Sequence, residues 1–148
     1  MGVACFLETS RGAPSEFARA AFEADGTVSL AVGTQSNGQG HETAYPQVAA
    51  DRLGLPIAAF RFQQGDTDLL PGGNGHGGAR SMHMGGTALV MAVEKLIAKG
   101  RLIAALLLQT PADQVAFAAG RFVVQSTERA IEIGEVAEAA RDPANLPE

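Results

Sequence analysis

The chain has 148 residues, 46% of them hydrophobic, enough for one core of ordinary domain size. Its net charge of −5, with two lysines and nine arginines scattered along it, argues against a nucleic-acid surface, and Tyr45 with seven phenylalanines and no tryptophan argues against base-stacking platforms. Cys5 is the only cysteine, so no disulfide closes within the chain and no thiolate-ligated zinc or iron–sulfur cluster is built from it alone.

With a single cysteine a reducing, cytoplasmic setting is expected, and the apolar start, with no leading basic residue and Glu8 reached early, does not read as a signal peptide. The longest uncharged apolar run, 102–108, is far short of a membrane span.

In chain order, residues 3–7 read as a strand, and 17–22 with 28–32 as a hairpin around a two-residue turn, Asp25-Gly26. Tyr45, Val48, Ala49 and Leu53 recur at helical spacing, which predicts a helix over 41–53 stopped by Gly54 and Pro56. Pro46 inside it predicts a later start or a bend. Residues 58–62 alternate as a half-buried strand; Gly65-Asp66-Thr67-Asp68 then turns into a second glycine cluster at 72–78. Ser81 is placed to cap a long helix with Leu89, Ala92, Val93, Leu96 and Ile97 on one face and Glu94, Lys95 and Lys99 opposite. Gly100 predicts a bend in it before a buried run at 102–108. A hairpin of 115–117 and 122–124, a short strand at 130–133 and a helix at 135–140 precede a proline-containing tail that reads as a boundary.

The most informative stretch is Gly38-Gln39-Gly40-His41-Glu42-Thr43, which ends a strand and opens a helix. Such a turn brings backbone N–H groups close to an anion at the positive end of a helix, a place for phosphate. Neither common nucleotide motif is satisfied: Gln39 stands where a Walker lysine belongs, and the third glycine of a dinucleotide fingerprint is missing. The form strand, glycine loop, helix occurs twice, around 28–53 and around 58–98, so two helix starts could face one pyrophosphate. Arg80, the only basic residue between Arg61 and Lys95, sits at the mouth of the second helix.

Each signal has a plainer reading. Glycine loops often serve turn geometry alone, and a lone arginine is more often a surface residue, here with Asp66 or Asp68 as partner. Asp66 and Asp68 two apart on a turn cap it more often than they form an acid–base pair. His41, His76, His83 and Glu42 lack the spacing of a helical zinc motif. His41 is read as a donor to a ligand or a loop carbonyl, and Tyr45 and Met91 as core.

At 33–43 the chain resembles the large, molybdenum-cofactor-binding subunit of the molybdenum hydroxylases, the family of xanthine dehydrogenase, aldehyde oxidoreductase and aerobic carbon monoxide dehydrogenase. The likeness continues at 48–56, 65–68, 77–81 and 85–88 in the family's order. Pro46, where alanine is usual, and Ala79-Arg80-Ser81, in place of a serine-rich run, depart from the pattern. The resemblance implies an α+β fold, a mixed sheet with packed helices, with 1–148 as a single partial domain of that subunit. It implies molybdopterin cytosine dinucleotide as cofactor, with Gly38, Gln39 and Gly40 lining the first loop, His41 and Thr43 supporting its helix start, and Gly78, Arg80 and Ser81 lining the second. It further implies partners: the remainder of the large subunit and iron–sulfur and FAD-binding subunits or domains.

The implied reaction is oxidative hydroxylation of an aldehyde, an N-heterocycle or carbon monoxide with oxygen from water. The family's catalytic glutamate, in a glycine-containing loop near the subunit's end, has no counterpart among these residues. No catalytic or metal-ligating residue is therefore assigned, and the isolated chain is expected to be inactive and to hold no cofactor tightly. The competing reading is a non-catalytic nucleotide-binding or assembly module whose loops are structural.

Overall fold

The computed structural model describes residues 1–7, 14–125 and 127–146. Two three-stranded sheets and three α-helices form an α+β fold. The first sheet joins β1 (Ala18–Phe22), β2 (Val28–Val32) and β3 (Phe60–Gln64) in the order β1-β2-β3. β1 runs antiparallel to β2, whereas β3 runs parallel to it with Val28 opposite Phe60 and Val32 opposite Gln64. A parallel pair needs a long crossover, which α1 (His41–Leu53) supplies. The second sheet, β4 (Val115–Ala118), β5 (Arg121–Val124) and β6 (Ala130–Glu132), is wholly antiparallel.

The core lies where α1 and α2 (Thr87–Leu107) cover one face of the mixed sheet. Val28, Leu30 and Val32 alternate inward from β2 and meet Tyr45, Ala49 and Leu53 of α1 and Leu89, Val93 and Ile97 of α2. Side chains of this size contribute about 1.5–3 kcal/mol each when fully buried. The C-terminal half of α2 carries the second sheet, and α3 (Ile133–Ala139) closes over it, its Ile133 and Val136 buried.

Several elements depart from the sequence reading. Residues 1–7 form no strand and are exposed: the apolar run at 3–7 has no ladder partner among the described residues. The first hairpin turns through three residues rather than two. The Glu23 N–H donates to Thr27 O (2.8 Å), the Gly26 N–H donates to Glu23 O (3.1 Å), and Gly26 takes the left-handed position at φ 81°. Pro56 leads residues 57–59 into a short 3-10 turn, which delays β3 to Phe60.

α1 starts at His41 despite Pro46, whose missing N–H removes one bond just past the first turn without ending the helix. α2 runs through Gly100 unbroken. The glycine is there for space, because a Cβ on it would sit 2.6 Å from Phe122 Cζ. In 102–108 only Ile103, Ala104 and Ala105 are buried, while Leu102 and Leu106 are exposed, as is Met91. α3 begins at Ile133, two residues early, where the Glu132 N–H donates to Glu135 Oε2 (3.0 Å).

Candidate functional site

Because β2 and β3 are parallel neighbours, the segments that follow them leave the sheet at the same edge, where open sheets of this kind place their ligands. Both glycine-rich loops are therefore side by side. They cross at Gly33 and Gly73, so closely that a Cβ on Gly33 would lie 2.8 Å from Gly73 Cα and 2.9 Å from Gly72 O. Farther out, Asn37 Nδ2 and His76 Nε2 are 3.3 Å apart, a direct bridge between the two loops.

The first loop is tied mainly to itself. The Asn37 N–H donates to Gln39 Oε1 (2.6 Å), Gln39 Nε2 donates to Gln35 O (3.1 Å), and the Ser36 N–H donates to Gln64 Oε1 (2.8 Å). The Gln39 side chain thus braces the loop. Gly38 (φ 112°) and Gly40 (φ 78°) turn that backbone through the left-handed region into α1. Thr43 and Ala44 donate their N–H groups to Gly40 O, and helix geometry leaves those of His41 and Glu42 without an intrahelical acceptor. Glu42 already puts a carboxylate in this first turn, which weakens its pull on an anion. Thr43 is exposed beside it.

His41 is buried at 2% exposure, its ring centroid 4.8 Å from that of Tyr45, and among the described residues neither ring nitrogen makes a hydrogen bond of normal geometry, the Gln64 amide approaching the ring without forming one. Of the two expected partners, a ligand or a loop carbonyl, no carbonyl is found among the described residues. Burial pushes its pKa below 6.5; Glu42 and the adjacent Gln64 amide pull it back up, and His76 pushes it further down. The unfolded chain then takes up a proton that the folded ring resists, so stability is full above about pH 6.5 and is lost as pH falls through the folded value. The thermal midpoint should drop between pH 7 and pH 5, and His41→Gln should reduce that drop.

The second loop opens after Gly65, where Asp66 Oδ1 accepts the Asp68 N–H (2.9 Å), so this aspartate caps its turn. Gly78 (φ 83°) and Ala79 (φ 51°) bring it to Ser81, where Ser81–Gly86 makes one wide π-helical turn that leads into α2. Ser81 supplies no side-chain cap to this turn; its carbonyl accepts the Tyr45 hydroxyl (2.7 Å). That hydroxyl also meets Thr34 Oγ1 at 2.6 Å, and Thr34 and Tyr45 are both fully buried. Tyr45 is core, as expected, and also fastens the start of the second helix to the first.

Arg80 faces inward rather than toward solvent, at 1% exposure. Its guanidinium pairs with Glu16 and donates to Ser15 O (2.7 Å) and Gly75 O (3.1 Å), so neither Asp66 nor Asp68 is the partner. Nothing in the sequence singled out Glu16, Thr34 or the Tyr45 hydroxyl, because each acts through a residue distant along the chain. Among the described residues, no group of three or more His, Cys, Asp or Glu side chains could hold a metal ion, and no helix is long and apolar enough to cross a membrane.

Comparison with known proteins gives a consistent answer. A family model described as a molybdopterin cofactor-binding domain matches residues 1–147. The chain is 39% identical over 100 residues to the carbon monoxide dehydrogenase large chain of Afipia carboxidovorans, covering 68% of this chain and 12% of that one. It is 35% identical to the 6-hydroxypseudooxynicotine dehydrogenase complex subunit gamma of Paenarthrobacter nicotinovorans, over 80% of this chain and 15% of that one. Among solved structures, a Cu,Mo-CO dehydrogenase superposes with a TM-score of 0.83 at 34% identity, covering 89% of this chain and 17% of that one. Quinoline 2-oxidoreductase from Pseudomonas putida 86 superposes with a TM-score of 0.78 at 27% identity, with the same coverage of each chain. The chain thus spans less than a fifth of the length of these relatives.

Proposed function

The chain belongs to the molybdopterin cofactor-binding domain family of molybdenum hydroxylase large subunits, and on that premise we propose that its two glycine loops hold the pyrophosphate of molybdopterin cytosine dinucleotide within a larger molybdenum-dependent oxidoreductase. The observation that carries this reading is the parallel pairing of β2 with β3, which sends both loops out of one sheet edge and into contact. The residues present fit such a group: exposed glycine backbone, first-turn amides of α1, and a buried imidazole whose two nitrogens make no hydrogen bond of normal geometry among the described residues.

In this reading Gln39 and Gly40 offer N–H groups to one phosphate, Gly38, whose N–H donates to Ser36 Oγ (3.4 Å), shapes the turn before them, Thr43 lies beside them, and the His41 ring donates to an oxygen of the same anion. The backbone at Gly78 and Ser81 serves the second phosphate. Arg80 contributes from behind, by fixing the loop that carries Gly75 to Gly78. When bound, the cofactor supplies the redox centre at which an aldehyde, an N-heterocycle or carbon monoxide is oxidised with oxygen taken from water.

The described residues hold the cofactor and contribute no catalytic carboxylate, so residues 1–148 act as one partial domain. The remainder of the large subunit closes the site, iron–sulfur and FAD-binding partners carry electrons away, and the assembly works in the cytoplasm. Because the rest of the site lies elsewhere, the chain alone binds weakly. Titrating the ¹⁵N-labelled chain with millimolar pyrophosphate, then with cytidine diphosphate, should shift the amides of Gly38, Gly40, His41, Gly77 and Gly78 together. Shifts confined to one loop, or none at all, would overturn the reading.

A further inference from the structure

Glu16 lies in the segment that leads into β1, yet its carboxylate ends beneath both glycine loops. Its side chain and that of Arg80 are each 1% exposed, and they form a buried ion pair. Around this pair, Glu16 Oε1 accepts the Phe17 N–H (3.0 Å) and Glu16 Oε2 accepts the Asn74 N–H (3.4 Å). Arg80 donates to Ser15 O and Gly75 O, and Asn74 Nδ2 donates to Ser15 O (2.9 Å). Gly33, the first residue of the other loop, lies so close that a Cβ there would strike the same carboxylate, and its N–H donates to Phe17 O (2.9 Å). One carboxylate therefore touches the strand entry, both limbs of the second loop and the root of the first.

Removing two charges from water is costly, and apolar side chains of similar volume commonly give equal or greater stability. A pair kept at the junction of three segments is better suited to fixing their spacing than to adding stability. We infer that Glu16 is a positioning residue for the bound anion: with Arg80 it forms a latch that sets the distance between the two glycine loops. This inference rests on the reading of those loops as one anion site.

The test uses the whole chain, with Glu16→Gln, Arg80→Lys and the charge-free double variant Glu16→Gln with Arg80→Met. The double variant removes both charges of this pair together, so it keeps the test usable if Glu16→Gln alone fails to fold. Two readouts are taken well below the melting temperature: amide shifts of the loops without ligand, and affinity for inorganic pyrophosphate. The latch predicts displaced amides at Gly38, Gly40, Gly77 and Gly78 in folded variants, and affinity lower by about 10-fold, which corresponds to about 1.4 kcal/mol. A merely structural pair would lower the melting temperature and leave both readouts as in wild type, which would overturn the inference. If wild type binds no pyrophosphate, the anion-site reading and the latch's role in it both fail, whereas wild-type binding with unchanged variants sinks the latch alone.

Discussion

Alanine at Gly33 will lower stability by about 1–3 kcal/mol, the usual cost of forcing atoms into packed space, and will move the second loop. The added Cβ would lie 2.8 Å from Gly73 Cα and 2.9 Å from Gly72 O, both of them backbone atoms that cannot rotate away, and it would also meet the Glu16 carboxylate. Relief requires separation of the two loops at the one point where their main chains cross. Gly77→Ala is the control, since nothing lies within 4 Å of a Cβ there and its backbone angle is an ordinary one. That change should stay within about 0.5 kcal/mol. Urea midpoints give the energies, and amide shifts over 72–78 report the displacement. A Gly33→Ala protein as stable as Gly77→Ala, with an unmoved second loop, would mean that the loops do not cross this closely.

Local periodicity carried much of the fold. Tyr45, Val48, Ala49 and Leu53 at helical spacing define α1 from His41 to Leu53, and Val28 to Val32 read as an apolar strand. Failures came where a distant neighbour decides. Residues 3–7 have the side chains of a strand but no paired edge, and Gly100 reads as a bend only until the Phe122 ring is known to lie against it. Met91 carries an apolar side chain at a position where α2 faces outward, which periodicity blurred.

The candidate site is legible to a similar degree. Both glycine loops and their matching strand–loop–helix contexts are local features; the parallel pairing that brings them together is not. Arg80 was conspicuous as a lone cation, but its partner lies 64 residues upstream, and sequence proximity pointed instead to Asp66 and Asp68.

Phenylalanine at Tyr45 will separate the structural hold between the two loops from the packing of the core. The ring remains and keeps its contacts with His41 and Phe62, at centroid distances of 4.8 and 5.3 Å. Only the hydroxyl is lost, and with it the bonds to Thr34 Oγ1 (2.6 Å) and Ser81 O (2.7 Å). Thr34 and Tyr45 are fully buried, so leaving the Thr34 hydroxyl and the Ser81 carbonyl without this partner should cost about 1–3 kcal/mol. The structural consequence falls on the wide turn at Ser81–Gly86, whose first carbonyl loses its tie to α1; amide exchange there should quicken while α1 stays protected. Burial also raises the Tyr45 pKa above 10, partly offset by the Thr34 bond, with Glu16 raising it and Arg80 lowering it further. The folded state therefore holds this proton longer than the unfolded chain: the contribution is complete below pH 10 and is lost as pH climbs through the folded value. Tyr45→Phe should remove that alkaline component and bring the loss forward to neutral pH. Equal exchange rates over Ser81–Gly86 in the two proteins at pH 7 would show that the hydroxyl bridge does not hold the second helix start in place.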